Sequence, residues 1–596
     1  GTATSTGDTT NPGTATSTGD TTNPGTATST VDSIRGVVAS PGLAVGVAVQ
    51  LVRPEIAVIE AGDGVAVEAV RLENAMAAVR ARLQSHIAAE RGPRRDILTA
   101  HLEFLDDPEL TAAARSQVER GKSAGFAWRQ AVRASVEVLR ALPDARMAER
   151  ADDLLDLESQ MLAALNGSVT GAEYSLPDHA IVLANELLPS QFVALDPSRL
   201  AGICTSGGGP TSHVAILAAA LNVPMLVAAG PRIGAIPNGS PLVLDAEQGT
   251  LQIAPTKPQL AIAEGMVTRR RARRAQEREA AQDECRTADG TRIEVFANVG
   301  SAIEARTGVS QGAEGCGLLR TEFLFLDRES APDEATQTAA YQKIVDAFAG
   351  RPVVIRTLDV GGDKPLAYMP LSHEENPALG VRGIRVSLLH PEMLAVQLRA
   401  ILRVLPRGRC RILLPMISDA DEILAVRELL DAARREVGHN EPVLLGAMIE
   451  TPASAMLADQ IARTVDFLSI GTNDLTQYAL AIDRGNPALA SRIDGLHPAV
   501  LRLIANAARA ARGNERDIAV CGGLASDPAA AAILIGLGVN ELSTVPSAVP
   551  SVKALIRSLS LERCRDLAAR ALDAQSAAQV RSLVAQWPTK IKALTL

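Results

Sequence analysis

The stretch LLGAMIETPASAMLADQIARTVDFLSIGTND, residues 444–474, decides the fold. Two short apolar runs, LLGAMIE and VDFLSIGT, flank a helix-like segment, and each run ends on polar residues. Short apolar runs bounded by turn signals read as strands. The same unit recurs in IEVFANV, GCGLLRTEF, PVVIRTLDV, CRILLPMI, DIAVCGGL and GVNELSTV, which completes a set of eight. Eight parallel strands separated by helices predict a (β/α)8 barrel over the second half of an α/β chain. Polar residues gather at the C-terminal ends of these strands, where such barrels carry their chemistry.

Glu450 closes the first quoted run, and Asp474 follows the second one twenty-four residues later, about one βα repeat. Neighbouring strand ends therefore put both carboxylates in one barrel mouth. Magnesium takes one or two carboxylates and fills its octahedron with substrate oxygens and water, so the pair is a candidate metal site. Either acid alone is more often a helix cap or a surface group. Around them stand Arg320 in LLRTEF, Arg356 in VIRTLD, Arg382 in LGVRGIR and Arg484 in AIDRGN. Guanidinium groups grip phosphate and carboxylate through two parallel bonds, and a small, strongly anionic substrate is expected. Surface ion pairing accounts for one such arginine but poorly for four at one face. Lys364 in GGDK and Asn473 are weaker candidates for the same pocket. Cys521 ends DIAVCGG, again a strand end. A thiol with a reference pKa of about 8.5 is mostly protonated at neutral pH and can give a proton to an enolate carbon, although a small buried apolar residue is the commoner fate of cysteine.

Upstream, IRGVVASPGLAVGVAVQLV reads as short strands with a turn at Pro41-Gly42. From about Val67 to Asn166 the apolar spacing changes to three and four, which predicts a helical subdomain. A compact α/β unit follows, and inside it lies GGGPTSHVAILAAAL, residues 207–221. Glycines let a backbone approach a phosphate closely. Thr211 and Ser212 add hydroxyls, and His213 stands near a helix start, where amides and dipole favour an anion. A neutral imidazole is a good nucleophile near pH 7, so His213 is the candidate for a phosphorylated catalytic histidine. The charged, Ala-rich stretch 264–284 reads as a solvated connecting helix.

Bulk properties narrow the function classes. A length of 596 residues is a prior for three or four domains. A net charge of −9 and 2% aromatic residues argue against a nucleic-acid partner. Six cysteines without C-x-x-C spacing argue against zinc and fit a reducing, cytoplasmic setting. No run of 18 or more apolar residues and no secretory signal is visible, so membrane insertion is not expected. The Thr/Ala/Gly/Ser tract over residues 1–30 cannot bury enough apolar surface to order itself and reads as a disordered tail or linker.

GGGPTSHVAIL, LLRTEFLF, RTLDVGGDKP, IETPASA, SIGTNDLTQYALAIDRGN and CGGLASD, in that order, resemble enzyme I of the bacterial phosphotransferase system. The resemblance runs over residues 33–596. It implies a swivelling α/β phosphohistidine domain with an inserted helical subdomain, followed by a dimeric (β/α)8 barrel. It implies phosphorylation of His213 from phosphoenolpyruvate with Mg2+, then transfer to the phosphocarrier HPr, docked on the helical subdomain. By motif it makes Glu450 and Asp474 the magnesium ligands and Cys521 the acid that protonates the enolate. Arg320, Arg356, Asn473, Arg484, Arg382 and Lys364 become binders of phosphoenolpyruvate. The implied division is 31–56 with 170–254 for the phosphohistidine domain, 57–169 for the helical subdomain, 255–284 for a linker helix and 285–596 for the barrel. The related dikinases need a large ATP-binding domain that nothing here matches. Two departures stand out: Ala219, where relatives commonly carry arginine, and Gly523, where many read C-G-E. The wording of CGGLASDP and PMLVAAG looks more like the enzyme I module of fused fructose-type multiphosphoryl transfer proteins.

Overall fold

The computed structural model describes residues 32–587 except 52–55, 90–92, 142–144, 168–175, 211, 222, 327, 329, 363–365, 367, 370–373, 485, 487–488 and 490–491. The tract 1–30 and Lys364 lie outside the described residues. The chain divides into two units, Gly1–Val267 and Thr268–Leu596, and the helix Lys257–Ala280 runs through that boundary.

The first unit is built on one sheet. Its strands are β1 (Ser33–Arg35), β2 (Val37–Ser40), β3 (Leu43–Gln50), β4 (Ala180–Ala184), β5 (Leu200–Thr205), β6 (Met225–Val227), β7 (Pro241–Asp245) and β8 (Thr250–Ile253). Their order across the sheet is β1-β8-β7-β3-β4-β5-β6-β2, with β3 to β6 mutually parallel. β4 is buried along its whole length, between apolar layers on both faces. Between β3 and β4 lies the helical insertion expected from the three-and-four spacing, with helices Val65–Ala89, Pro93–Leu105, Pro108–Glu119, Ala124–Ala141 and Ala145–Leu165. Asp107 caps the third of these by accepting from Glu109 N, and Pro108 opens it where a missing N–H does no harm. Leu72, Val79, Leu105, Trp128, Leu157 and Met161 fill the centre of the bundle.

The second unit is a closed barrel of eight parallel strands. They are β9 (Glu294–Val299), β10 (Cys316–Leu319), β11 (Val353–Arg356), β12 (Cys410–Leu414), β13 (Leu445–Ile449), β14 (Phe467–Ile470), β15 (Asp517–Val520) and β16 (Glu541–Thr544). Each coincides with one of the eight apolar runs. β16 pairs with β9 to close the ring. Alternate side chains point inward, and Leu318, Val354, Leu413, Met448, Phe467 and Cys521 pack as an inner cluster. Their neighbours along the strands, such as Ile355, Leu414, Leu468 and Val520, join the helices in the larger outer core. The packed interior leaves the C-terminal rim as the place for a site. Among the described residues no helix is long and apolar enough to cross a membrane.

Candidate active site at the barrel mouth

Arg356 is the last residue of β11, and its guanidinium turns into the barrel mouth. Nη1 lies 3.2 Å from Asp359 Oδ2, and Nη2 donates to Glu322 Oε1. Arg382 donates from Nε and Nη2 to the two oxygens of Asp359, both at 3.2 Å, and from Nη1 to Asp474 Oδ1 at 3.0 Å. Asp359, fully buried, thus bridges two buried arginines. Burial works against both guanidinium charges, but the surrounding carboxylates outweigh it and hold both groups above their ordinary pKa. Such a cluster fixes donors in advance of any ligand. Arg484 is exposed and sits 3.7 Å from Asp474 Oδ1. It lines a cavity of about 270 Å³ with Thr472, Asn473 and Gly523. Arg320, also exposed, lines another of about 230 Å³ with Ser301, Phe323 and Lys343.

Glu450 follows β13 and is buried. Its Oε1 accepts from Met416 N at 2.6 Å, which Met416 reaches by adopting φ +58. Gly471 leaves the space the carboxylate needs, since a Cβ there would stand 2.6 Å from Glu450 Oε2. Burial raises the Glu450 pKa, and the negative charges of Asp474 and Asp359 add to the effect. A divalent cation would relieve that crowding, so this donor set fits Mg2+. Asp474 lies in the first turn of the helix Thr472–Leu480, after β14. Among the described residues no group of three His, Cys, Asp or Glu is gathered for a metal. A pair suits a metal that keeps substrate and water ligands.

Cys521 is buried just past β15. Ser469 Oγ donates to its sulfur at 3.2 Å, and the thiol reaches Ile470 O at 3.5 Å. Burial pushes the thiol up to about 11, so it stays a proton donor. Asn298 Nδ2 donates to Cys521 O at 2.9 Å and to Ser543 O at 3.1 Å, tying three strand ends together. Asn473 Oδ1 accepts from Gly523 N at 2.8 Å.

In the other unit, the backbone of His213 opens the helix His213–Ala220, as its sequence predicts. Ser212 caps it by accepting from Ala215 N at 3.3 Å. Gly208, at φ +85, turns the chain before it. Val214, Ala215, Leu217 and Ala218 are buried, and Ala219 is exposed. The His213 side chain and Thr211 lie outside the described residues.

With this geometry, the chain matches three family descriptions in order. They are the PEP-utilising enzyme N-terminal domain over residues 35–150, the mobile domain over 176–249 and the PEP-binding domain over 274–561. A multiphosphoryl transfer protein of Rhodobacter capsulatus is 46% identical over 493 residues, 83% of this chain and 60% of that protein. Another from Xanthomonas campestris pv. campestris is 42% identical over 566 residues, 93% of this chain and 67% of that one. A phosphoenolpyruvate-protein phosphotransferase of Geobacillus stearothermophilus is 34% identical over 563 residues, 93% of this chain and 97% of that one.

The chain belongs to the enzyme I family. It spans 60% of the length of the Rhodobacter capsulatus relative. Within this family member, the mobile-domain match contains His213, and the PEP-binding match contains Arg320, Arg356, Lys364, Arg382, Glu450, Asn473, Asp474, Arg484 and Cys521.

Among the described residues, Glu322, Asp359 and Asn298 at the mouth, and Ser469 beneath Cys521, escaped the sequence reading. Glu322 and Asp359 sit inside the quoted RTEF and RTLD runs, two and three residues from an arginine. An acid beside an inward-facing arginine was the available signal. Asn298 and Ser469 carried none, since a single polar residue in a strand does not reveal its neighbour across the barrel.

Proposed function

We propose that this chain takes the phosphoryl group of phosphoenolpyruvate onto His213 and passes it to the histidine of HPr, the first step of phosphotransferase-system sugar uptake in the cytoplasm. The observation that carries the reading is the buried set Arg356–Asp359–Arg382–Asp474 beside Glu450 and a protonated Cys521. It joins anion-binding forks, a carboxylate pair and a proton donor in one mouth. Glu450 and Asp474 would hold Mg2+, which supplies charge neutralisation for the transferring phosphoryl group. Arg320, Arg356, Asn473 and Arg484, with Arg382 and Lys364, bind the substrate's phosphate and carboxylate. The bond from phosphorus to the enol oxygen breaks as one to a His213 ring nitrogen forms. The enolate left behind takes the Cys521 proton on its terminal carbon and becomes pyruvate. His213 and the barrel mouth belong to different units, so catalysis requires the mobile unit to visit both the mouth and HPr, which docks on the helical insertion. Dimerisation through the barrel, and fusion with a carrier domain as in multiphosphoryl transfer proteins, belong to the same reading.

The test is incubation with phosphate-labelled phosphoenolpyruvate and Mg2+, with and without HPr. Acid-labile label on the chain, chased onto HPr and absent from His213→Ala, is the expected result. Label retained by His213→Ala, or label that never leaves for HPr, refutes the assignment.

A further inference from the structure

Cys521 loses its proton in each turnover of the reaction proposed above, and it lies where burial penalises a thiolate. The proton must come back. The structure holds a path on the side of the cysteine away from the mouth. Ser469 Oγ already donates to Cys521 Sγ at 3.2 Å. Ser469 also lines a cavity inside the barrel, shared with Gly317, Ala519 and Glu541. Its volume is about 10 Å³, close to the least that admits one water. Glu541, on β16, is 7% exposed, and its Oε1 has no hydrogen-bond partner among the described residues. That atom borders the cavity because position 317 has no side chain: a Cβ there would stand 2.6 Å from it. At the far end the same cavity is lined by Arg411 and Asp517, half-buried and exposed respectively.

We propose that Glu541, one water and Ser469 form a proton relay through the barrel floor that restores the Cys521 thiol after each turnover. The inference rests on the functional reading above. The Ser469 hydroxyl proton passes to the cysteine sulfur, the water gives one to Ser469, and Glu541 gives one to the water. Glu541 is recharged from solvent at the N-terminal end of the barrel. No electrons move, and one solvent proton enters for each pyruvate released. Glu541 is a positioning and relay residue, as it touches neither substrate nor the reacting carbon. Among the described residues, the groups facing its carboxyl are Glu294 on β9, Arg411 on β12, Asp517 on β15 and the thiols of Cys316 on β10 and Cys521 after β15. Burial, then the charge of Glu294, lifts Glu541 to about 8, so the relay is loaded at neutral pH and empties above it.

The test compares first and later turnovers in Glu541→Gln, using the full chain with HPr as acceptor. With enzyme in excess over phosphoenolpyruvate, the first pyruvate uses the proton already on Cys521 and is expected at the wild-type rate. Steady-state pyruvate formation is expected to fall about tenfold. The wild-type decline in steady-state rate above pH 8 is expected to vanish in the variant. Equal steady-state rates in the two proteins overturn the relay, and so does equal slowing of first and later turnovers, the mark of a merely structural role. Ser469→Ala, which breaks the path at a different atom, is expected to show the same steady-state loss; a wild-type steady-state rate there also overturns it. A wild-type chain that forms no pyruvate at all would instead strike the functional reading.

Discussion

Replacing Glu541 by glutamine has a second consequence, in stability, that is independent of catalysis. The Glu541 carboxyl is lifted from 4.5 to about 8, first by burial and then by the charge of Glu294. Between those values the folded chain keeps a proton that the unfolded chain has lost. Stability therefore falls as pH rises through that window, at up to about 1.4 kcal/mol per pH unit, and stays low above it. The interval sets a ceiling of ~5 kcal/mol, and relaxation with water entry around an ionised carboxylate cuts it to ~2–3 kcal/mol. Glutamine fills the same volume without ionising. Trp587 lies at the end of the barrel unit, and Trp128 lies in the helical insertion. In a Trp128→Phe background, Trp587 fluorescence therefore follows barrel unfolding in urea. The glutamine variant is expected to match wild type at pH 5 and to exceed it by ~2–3 kcal/mol at pH 8. A wild-type-minus-variant difference that stays constant from pH 5 to 8 refutes the claim that position 541 is a buried, titrating carboxyl.

Cys521→Ser keeps a hydroxyl at the mouth but raises the proton donor's pKa well beyond a thiol's. Pyruvate formation is expected to drop ~10²–10³-fold, with phosphoenolpyruvate affinity by calorimetry changed less than about threefold. Gly471→Ala puts a methyl 2.6 Å from Glu450 Oε2 and 2.9 Å from its Cβ, so the carboxylate must swing away. The Mg2+ concentration giving half-maximal activity is expected to rise by about tenfold. Gly513→Ala, where a Cβ meets nothing within 4 Å among the described residues, is expected to leave it unchanged.

The barrel was legible because its strands announce themselves one by one. LLGAMIE and VDFLSIGT each carry enough apolar residues to need burial and end where polarity returns. The helical insertion was legible for the same reason at a different period. What the sequence could not convey was pairing across the ring. Arg382 and Asp474 are 92 residues apart yet bonded at 3.0 Å, and Ser469 and Cys521 are 52 apart yet in contact. Closure of the barrel makes those neighbours, and no local pattern encodes it. The expectation of four arginines reaching alike for an anion also needed refinement. Arg356 and Arg382 are buried and already committed to carboxylates, whereas Arg320 and Arg484 are exposed. In the proposed reading the first pair offers donors already fixed by carboxylates, and the second pair offers exposed ones.

That division sets a condition on binding. Arg356, Arg382 and Arg484 stand against Glu322, Asp359 and Asp474 around the mouth, so those charges cancel, while burial pushes Glu450 towards its neutral form. Phosphoenolpyruvate, with a phosphate and a carboxylate, tips a balanced site strongly negative when it binds alone. Mg2+ alone tips it positive. Unbalanced charge in a buried setting costs several kcal/mol, and together the two nearly restore the balance. Each ligand should therefore tighten the other, by at least about tenfold for a coupling of ~1.4 kcal/mol. Linkage demands the same factor in both directions: the gain in phosphoenolpyruvate affinity at saturating Mg2+ must equal the gain in Mg2+ affinity at saturating phosphoenolpyruvate. Calorimetric titrations of the His213→Ala variant, which prevents turnover, measure both. Phosphoenolpyruvate binding that ignores Mg2+ would mean that the mouth does not read net charge, and the assignment of Glu450 and Asp474 to the metal would fall with it.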